Sequence, residues 1–561
     1  MAAAPAFSSP RSAFFAVAIA AVLVTVACGK TADPTAAKAR AFSVQPPAED
    51  VFRYAAIGSE FFDPAKIGET AGHQLMLNVF EGLYTYALGD GPPVPSMATG
   101  CTATDAGLVY TCTLRDGVRW TDGKAITAND FVTSWRRVLN PATASRSAQL
   151  LWFIRGAKAY NDGREKDPNT VGVRAIDDKT LRIELASATP FFLHLLAEMP
   201  YAPTPQHVIA KHGTRWTRPD NIVSNGPYRL VKHVRRSLTV LEKNDAYWDA
   251  DNVQVKRIEA YITESEQTAF DWYEVGKVDW TGDPTLPLDK LARLASSGRA
   301  DVHRDPYLCT YYYAFATHKP PFSNPKLRRA LSLAIDRQRL LLHVLDNGAK
   351  AASGNIPDLF GPTHNYRVPQ RDHFDPERAR KLLAEAGYPG GVGLPPIELT
   401  FNTQDVHRVV AEFVQRSLRE NLGIKVVLAN MEWKTLLKRM RAGEFALSRS
   451  GWCADYPDPL TFLEVFHSDA AANYARFDNS DYDKLIDTIR TTTDDELRNH
   501  LLFEAEQLLA RQRPMLPIYH YARAYMLRPW IRGFRPQMQD FHPFKYLRIN
   551  RGADRQPKRG S

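Results

Sequence analysis

The run Arg449-Ser450-Gly451-Trp452-Cys453-Ala454-Asp455-Tyr456-Pro457 puts a cation, an indole ring, a cysteine and a carboxylate within nine residues, beside a proline that stops regular structure. Such a set suits a ligand that carries both charges. Asp455 can receive an ammonium group, and Arg449 can pair with a carboxylate through two parallel hydrogen bonds. The same residues also fit a surface turn holding an ordinary ion pair. Catalytic signatures are missing. Gly29-Lys30-Thr31 ends like a phosphate loop, but Val24 stands where that loop needs its first glycine. The sequence contains no His-Glu-x-x-His and no Gly-x-Ser-x-Gly, and Gly390, Gly391 and Gly393 lack dinucleotide-loop spacing. The 15 histidines show no metal-ligand spacing, so neither metal nor cofactor is expected and no catalytic residue is assigned.

The elements that must position these residues read as α/β. Strands are expected at Val51 to Ile57, Thr180 to Leu185, from Ser237 to Glu242, Ile397 to Phe401, Lys425 to Leu428 and Pro517 to Leu527, with short strands between Ala103 and Trp120. Helices are expected at Gly72 to Tyr84, Asn129 to Leu139, Pro376 to Ala386, Val406 to Leu422 and Trp433 to Arg441. Asp375 would cap the third of these and Gly423 would end the fourth. Strands alternating with helices imply parallel pairing.

With 561 residues the chain exceeds what one hydrophobic core usually serves, so two or three domains are expected. Lys plus Arg number 71 against 62 acidic residues, a formal charge of +9, but the cations are scattered except in the tail Arg551 to Ser561. No nucleic-acid partner is therefore expected. At the N-terminus the uncharged stretch Ala13 to Ala27 is short for a membrane span of about 20 residues but suits the core of a secretory signal. Thr25-Val26-Ala27-Cys28 is similar to a bacterial lipobox, which makes Cys28 the expected lipidation site; an ordinary cleaved signal peptide is the alternative.

If Cys28 carries lipid, four of the five cysteines remain for an exported chain and three pairings are open. A turn over Asp105 to Leu108 would set Cys101 opposite Cys112 across a hairpin. That leaves Cys309 with Cys453, closing a loop for which chain entropy suggests roughly 4–5 kcal/mol.

Several segments together are familiar. Asp305-Pro-Tyr-Leu-Cys309-Thr-Tyr-Tyr-Tyr313, Lys381-Leu-Leu-Ala-Glu-Ala-Gly-Tyr388, Asn430-Met-Glu-Trp433 and Gly451-Trp-Cys-Ala-Asp-Tyr456 closely resemble the periplasmic oligopeptide-binding proteins of bacterial ABC importers, extracellular solute-binding protein family 5. Phe80-Glu-Gly-Leu83, Trp120-Thr-Asp-Gly123, Asn221 to Tyr228 and Arg528-Pro-Trp530 follow in the family's order, so the resemblance runs from about Val51 to Leu547. It implies a two-lobed Venus flytrap fold with an extra domain. The implied division is a signal peptide at 1–27, an anchor linker at 28–50, domain I from 51–80, 205–308 and 522–548, domain II at 81–204, domain III at 309–521 and a disordered basic tail at 549–561.

Residue by residue, the resemblance implies that Asp455 takes a peptide's ammonium and that Arg449 and His407 take C-terminal carboxylates. It further implies that Trp433 and Trp452 wall side-chain pockets, that Gly451 and Cys453 offer backbone to the peptide, that Tyr312 and Tyr521 line pockets, and that Cys309 and Cys453 form a family disulfide. Gly68, Glu69 and Thr70 correspond to a peptide-contacting segment. The pattern departs at Met440, where the family has a second basic anchor, at Ser147, where it commonly has a tyrosine, and at the added Cys101 and Cys112. The expected protein is a monomeric, lipid-anchored peptide binder on the periplasmic side of a bacterial membrane, handing short peptides to permease subunits. A binder of muropeptides or peptide signals, and an exported peptidase, are the other readings.

Overall fold

The computed structural model describes residues 45–552 apart from 59–61, 68–69, 346, 361–365 and 370–371. The signal and lipidation expectations at Cys28 and before, the tail beyond Gly552, and Gly68 and Glu69 lie outside the described residues.

Val51–Ala56 pairs in parallel with Arg257–Ile262, and antiparallel strands Leu238–Lys243 and Tyr228–Val234 complete a four-stranded sheet. Phe52 and Tyr54 on the first strand are fully buried. Their rings meet Phe544 at 5.1 and 5.2 Å, and Tyr54 stacks on Trp280 at 5.4 Å. Next to this cluster Lys545 Nζ lies 2.6 Å from Glu81 Oε1, both groups buried; burial pushes the Glu81 carboxyl up, but the Lys545 charge and the hydrogen bonds it accepts together hold it below its usual range. The end of the chain thus walls the core that its first strand begins.

A second, antiparallel sheet carries Ala98–Thr104, Val109–Leu114, Thr180–Glu184 and Val173–Ala175. Helix Ala128–Leu139 turns Phe131, Val132, Trp135 and Val138 inward, as its periodicity requires, and is started by a capping box between Thr127 and Asp130. In the hairpin, Cys101 faces Cys112 and the two are joined, with Cα atoms 4.0 Å apart.

The third sheet has six strands in the order Lys350–Ala351, Met515–Met526, Val302–Phe315, Leu447–Cys453, Ile397–Asn402 and Val426–Met431. The parallel pairing expected from alternating strands and helices holds in this sheet where Ile397–Asn402 meets its two neighbours. The centre is antiparallel, because the longest strands run past each other instead of being joined by helical crossovers. Helix Asp405–Leu422 buries Val410, Val414 and Leu418 against this sheet and ends at Gly423, whose φ of 70° suits a residue without a side chain. Asp375 caps Pro376–Glu385 by accepting the Arg378 N–H at 2.9 Å.

Val302–Phe315 and Met515–Met526 extend through both parts of the molecule. Their pairing runs from Val302–Met526 to Pro306–Ala522, shifts, and resumes at Thr310–His520. At one end Thr281 and Met526 exchange two 3.0 Å hydrogen bonds beside the first sheet; at the other end both strands are central in the third.

Helix Thr70–Met76 is shorter than the expected span to Tyr84. Asn78 Nδ2 takes the Gln74 carbonyl at 2.8 Å, occupying with a side chain the acceptor that a continuing helix gives to the backbone.

Candidate functional site

Strand Leu447–Cys453 is the scaffold. Facing Val302–Phe315, it sets Arg449 opposite Tyr313, Gly451 opposite Tyr311 and Cys453 opposite Cys309. The two cysteines are joined, Cα to Cα 4.0 Å. Because side chains alternate, Arg449, Gly451, Tyr311 and Tyr313 share one face, while Ser450, Trp452, Thr310 and Tyr312 share the other.

On the first face the Arg449 guanidinium lies 5.0 Å from the Tyr311 ring centroid, donates to Tyr521 Oη at 3.0 Å and reaches Asn402 Oδ1 at 3.5 Å. Among the described residues its Nε has no hydrogen-bond partner, and neither have His407 Nδ1, Tyr311 Oη and Tyr313 Oη. His407 is buried on the first turn of its helix, 5.5 Å from the Tyr311 ring; burial and then the nearby Arg449 charge push its imidazole down to about 2, so it is neutral. A cation and several unsatisfied donors stand together here, and no carboxylate pairs with them among the described residues. That composition receives an anion. A Cβ on Gly451 would stand 3.2 Å from Thr310 O and 3.8 Å from Tyr521 Oη, so glycine keeps the strand open beside that hydroxyl.

On the other face Trp452 Nε1 donates to Thr461 Oγ1 at 3.2 Å, and Thr461 Oγ1 also accepts the Asp455 N–H at 3.3 Å. Tyr312 is only 3 % exposed and packs against Phe466 at 5.9 Å. Trp433 starts helix Trp433–Ala442 and is 44 % exposed.

Asp455 begins the loop beyond the strand. No hydrogen bond or ion pair holds its carboxylate among the described residues. Burial, and then the Glu464 charge, push it up to about 7. Across from it Glu198, 5 % exposed, accepts from the Tyr86 hydroxyl and is pushed up to about 8 by burial, with the Asp455 charge adding to the rise. His73 Nδ1 lies 3.8 Å from Glu198 Oε2, but burial lowers that imidazole to about 3, so it brings no charge. Acids without a cation define a place for a positive group.

The structure therefore brings Arg449, His407 and Tyr521 together at one end and Asp455 and Trp452 at the other. It puts Tyr312 in the interior and starts a helix at Thr70. Of the departures, Met440 is 1 % exposed, while Arg439 beside it is spent on Glu398 at 2.9 Å and on Glu444 O. Ser147 Oγ donates to Ile67 O at 2.7 Å. Glu198, Tyr86, Tyr311 and Tyr313 escaped sequence reasoning. Tyr311 and Tyr313 lie in the family-like run Asp305 to Tyr313, but Glu198 and Tyr86 carry no local signal.

Residues 92–474 match the model of the bacterial extracellular solute-binding proteins, family 5, middle region. The chain belongs to this family. The periplasmic oligopeptide-binding protein OppA of Escherichia coli is 36% identical over 487 residues, covering 85% of this chain and 88% of its own. Among solved structures, a periplasmic oligopeptide-binding protein from Borrelia burgdorferi, OppAIV, is similar with a TM-score of 0.79 at 33% identity, covering 89% of this chain and 99% of its own. The murein tripeptide-binding protein MppA of Escherichia coli gives 0.81 at 31%, covering 90% and 99%. The expected α/β, two-lobed periplasmic-binding-protein fold is the fold of these neighbours.

Proposed function

We propose that this protein is the substrate-binding component of a peptide ABC importer, enclosing short peptides without changing them chemically. The observation that carries the reading is the separation of charge along one strand and its loop, with the anion-receiving Arg449 and His407 at one end and the uncompensated Asp455 at the other. A zwitterion fits both. Six residues of extended chain span about 20 Å, the length of a short extended peptide. Between its ends a peptide adds to a strand edge through its backbone, which accepts any sequence, while waters in roomy pockets adapt to the side chains. Gly451 and Cys453 are the backbone partners in this reading, Trp452, Trp433 and Tyr521 the pocket walls, and Gly68, Glu69 and Thr70 the contacts from the other lobe. Tyr312 acts from behind the site.

The domain division fits the sheet organisation, with Val302–Phe315 and Met515–Met526 as the two crossings between lobes. The protein works as a monomer, anchored through Cys28 on the periplasmic side of the membrane, and its closed form engages the permease. The likeness to MppA favours murein peptides as a second ligand class. Native mass spectrometry of protein purified under mild conditions tests both: co-purified peptides support the reading, and their mass distribution separates mixed oligopeptides from murein peptides. Incubation with a peptide mixture must return intact peptides; fragments would make the protein a peptidase.

A further inference from the structure

Among the described residues, Asp455 is held through its backbone alone. Its N–H reaches Thr461 Oγ1 at 3.3 Å and its carbonyl accepts from Gln539 Nε2 at 3.4 Å. The residue after it is fixed far more firmly. Tyr456, 1 % exposed, donates its hydroxyl to Glu464 Oε1 at 2.5 Å. Its ring lies flat on Phe191, with centroids 4.1 Å apart and planes 5° from parallel. Phe153 closes this box edge-on, 5.3 Å from Phe191 and 6.3 Å from Tyr456. Arg498 lies 6.0 Å from the Phe191 centroid and is held there by a two-pronged ion pair with Asp458, at 2.8 and 2.9 Å. Phe191 comes from the segment that follows the small antiparallel sheet, whereas Tyr456 comes from the loop leaving the six-stranded sheet. The stack therefore joins the two bodies one residue from the unpaired carboxylate.

We propose that Phe191 is the positioning residue of the ammonium subsite: it touches no ligand, but by clamping Tyr456 it aims the Asp455 carboxylate at the peptide's amino terminus and at Glu198 opposite. This rests on the peptide reading above. A carboxylate with no hydrogen bond of its own has several rotamers open to it, and a charge contact rewards only those that face the cation. Fixing the next residue between two tethers, a hydroxyl on one side and a ring face on the other, narrows that choice before the ligand arrives. The same stack is a joint between the two bodies, one residue from the anchor it orients.

The test uses the mature protein and an equimolar set of alanine peptides of two to five residues, free and N-acetylated, with binding measured by calorimetry. Phe191→Leu removes the ring and keeps an apolar side chain, and Phe191→Tyr restores the ring. The free peptides should bind Phe191→Leu about three- to tenfold more weakly, the range that an aromatic pair of this geometry supplies. The acetylated peptides should be unaffected within about twofold, and Phe191→Tyr should recover wild-type preference. Tyr456→Phe keeps the stack and loses the Glu464 tether, so it should show the same selective loss in smaller degree even if Phe191→Leu does not fold. Equal weakening of both peptide forms, or none of either, overturns the inference while leaving the peptide reading intact. If acetylation does not weaken wild-type binding, or if no alanine peptide binds, the ammonium reading fails and this inference falls with it.

Discussion

Arg449 donates to the Tyr521 hydroxyl at 3.0 Å and reaches the neutral amide of Asn402 at 3.5 Å, and no carboxylate pairs with it among the described residues. A phenol orients an arginine without neutralising it. The charge stays available for a ligand, and tyrosine rings shield it from water, which strengthens what it can do to an arriving carboxylate.

Arg449→Met should therefore cost on the order of 2–5 kcal/mol in affinity for peptides with a free C-terminal carboxylate, as when one partner of a desolvated charge pair is removed. Peptides ending in an amide should hardly distinguish the two proteins. Calorimetry on both peptide forms checks this, and equal losses would place the carboxylate elsewhere.

At the opposite end, Asp455→Asn keeps the shape and removes the charge. We expect a loss of about 3–5 kcal/mol for peptides with a free amino group and little change for their acetylated forms. The double-mutant comparison separates this from a general weakening.

The pH dependence has a definite sign. Burial raises Asp455 to about 7 and Glu198 to about 8, so the folded state binds protons that the unfolded state releases. Their contribution to stability is complete below the ordinary carboxylate range and is lost as pH rises through 7 and 8. The empty protein should melt at a lower temperature at pH 8.5 than at about pH 6, and bound peptide should reduce that difference because its ammonium favours ionised Asp455. Asp455→Asn should stabilise the empty protein at pH 8 by about 1–3 kcal/mol while weakening binding. Scanning calorimetry with and without peptide reads both, and a melting temperature that climbs with pH across this window would contradict the assignment.

Cys28→Ser should release the protein from membranes, and the wild-type mature chain should begin at a lipid-modified Cys28. Intact mass and membrane fractionation decide this. A mature chain that keeps residues before Cys28 and carries no lipid would leave an unanchored protein.

Arg449, Gly451, Trp452 and Asp455 could be singled out together because they are neighbours in sequence as well as along one strand and the loop that follows it. Glu198 was not, since it lies within an apolar stretch whose helical look, Phe191 to Ala197, gives no reason to single out the acid that follows. The hairpin of Cys101 and Cys112 could be read from turn length alone. The long strand Val302–Phe315 could not, because Asp305-Pro306 looks like a break; the structure absorbs that proline next to a register shift and lets the strand continue. Periodicity located the helix against the third sheet almost to the residue, and failed after Met76, where the deciding contact is the Asn78 side chain on the backbone of Gln74.

Phe544 and Lys545 close the core opened by Phe52 and Glu81, and 464 residues separate the members of the Lys545–Glu81 pair. In a chain made from its amino end, the first sheet to begin is consequently among the last structures to be finished. Loss of the final twenty or so residues would be felt as damage to the opening strand, far away in sequence, while the six-stranded sheet kept its own packing.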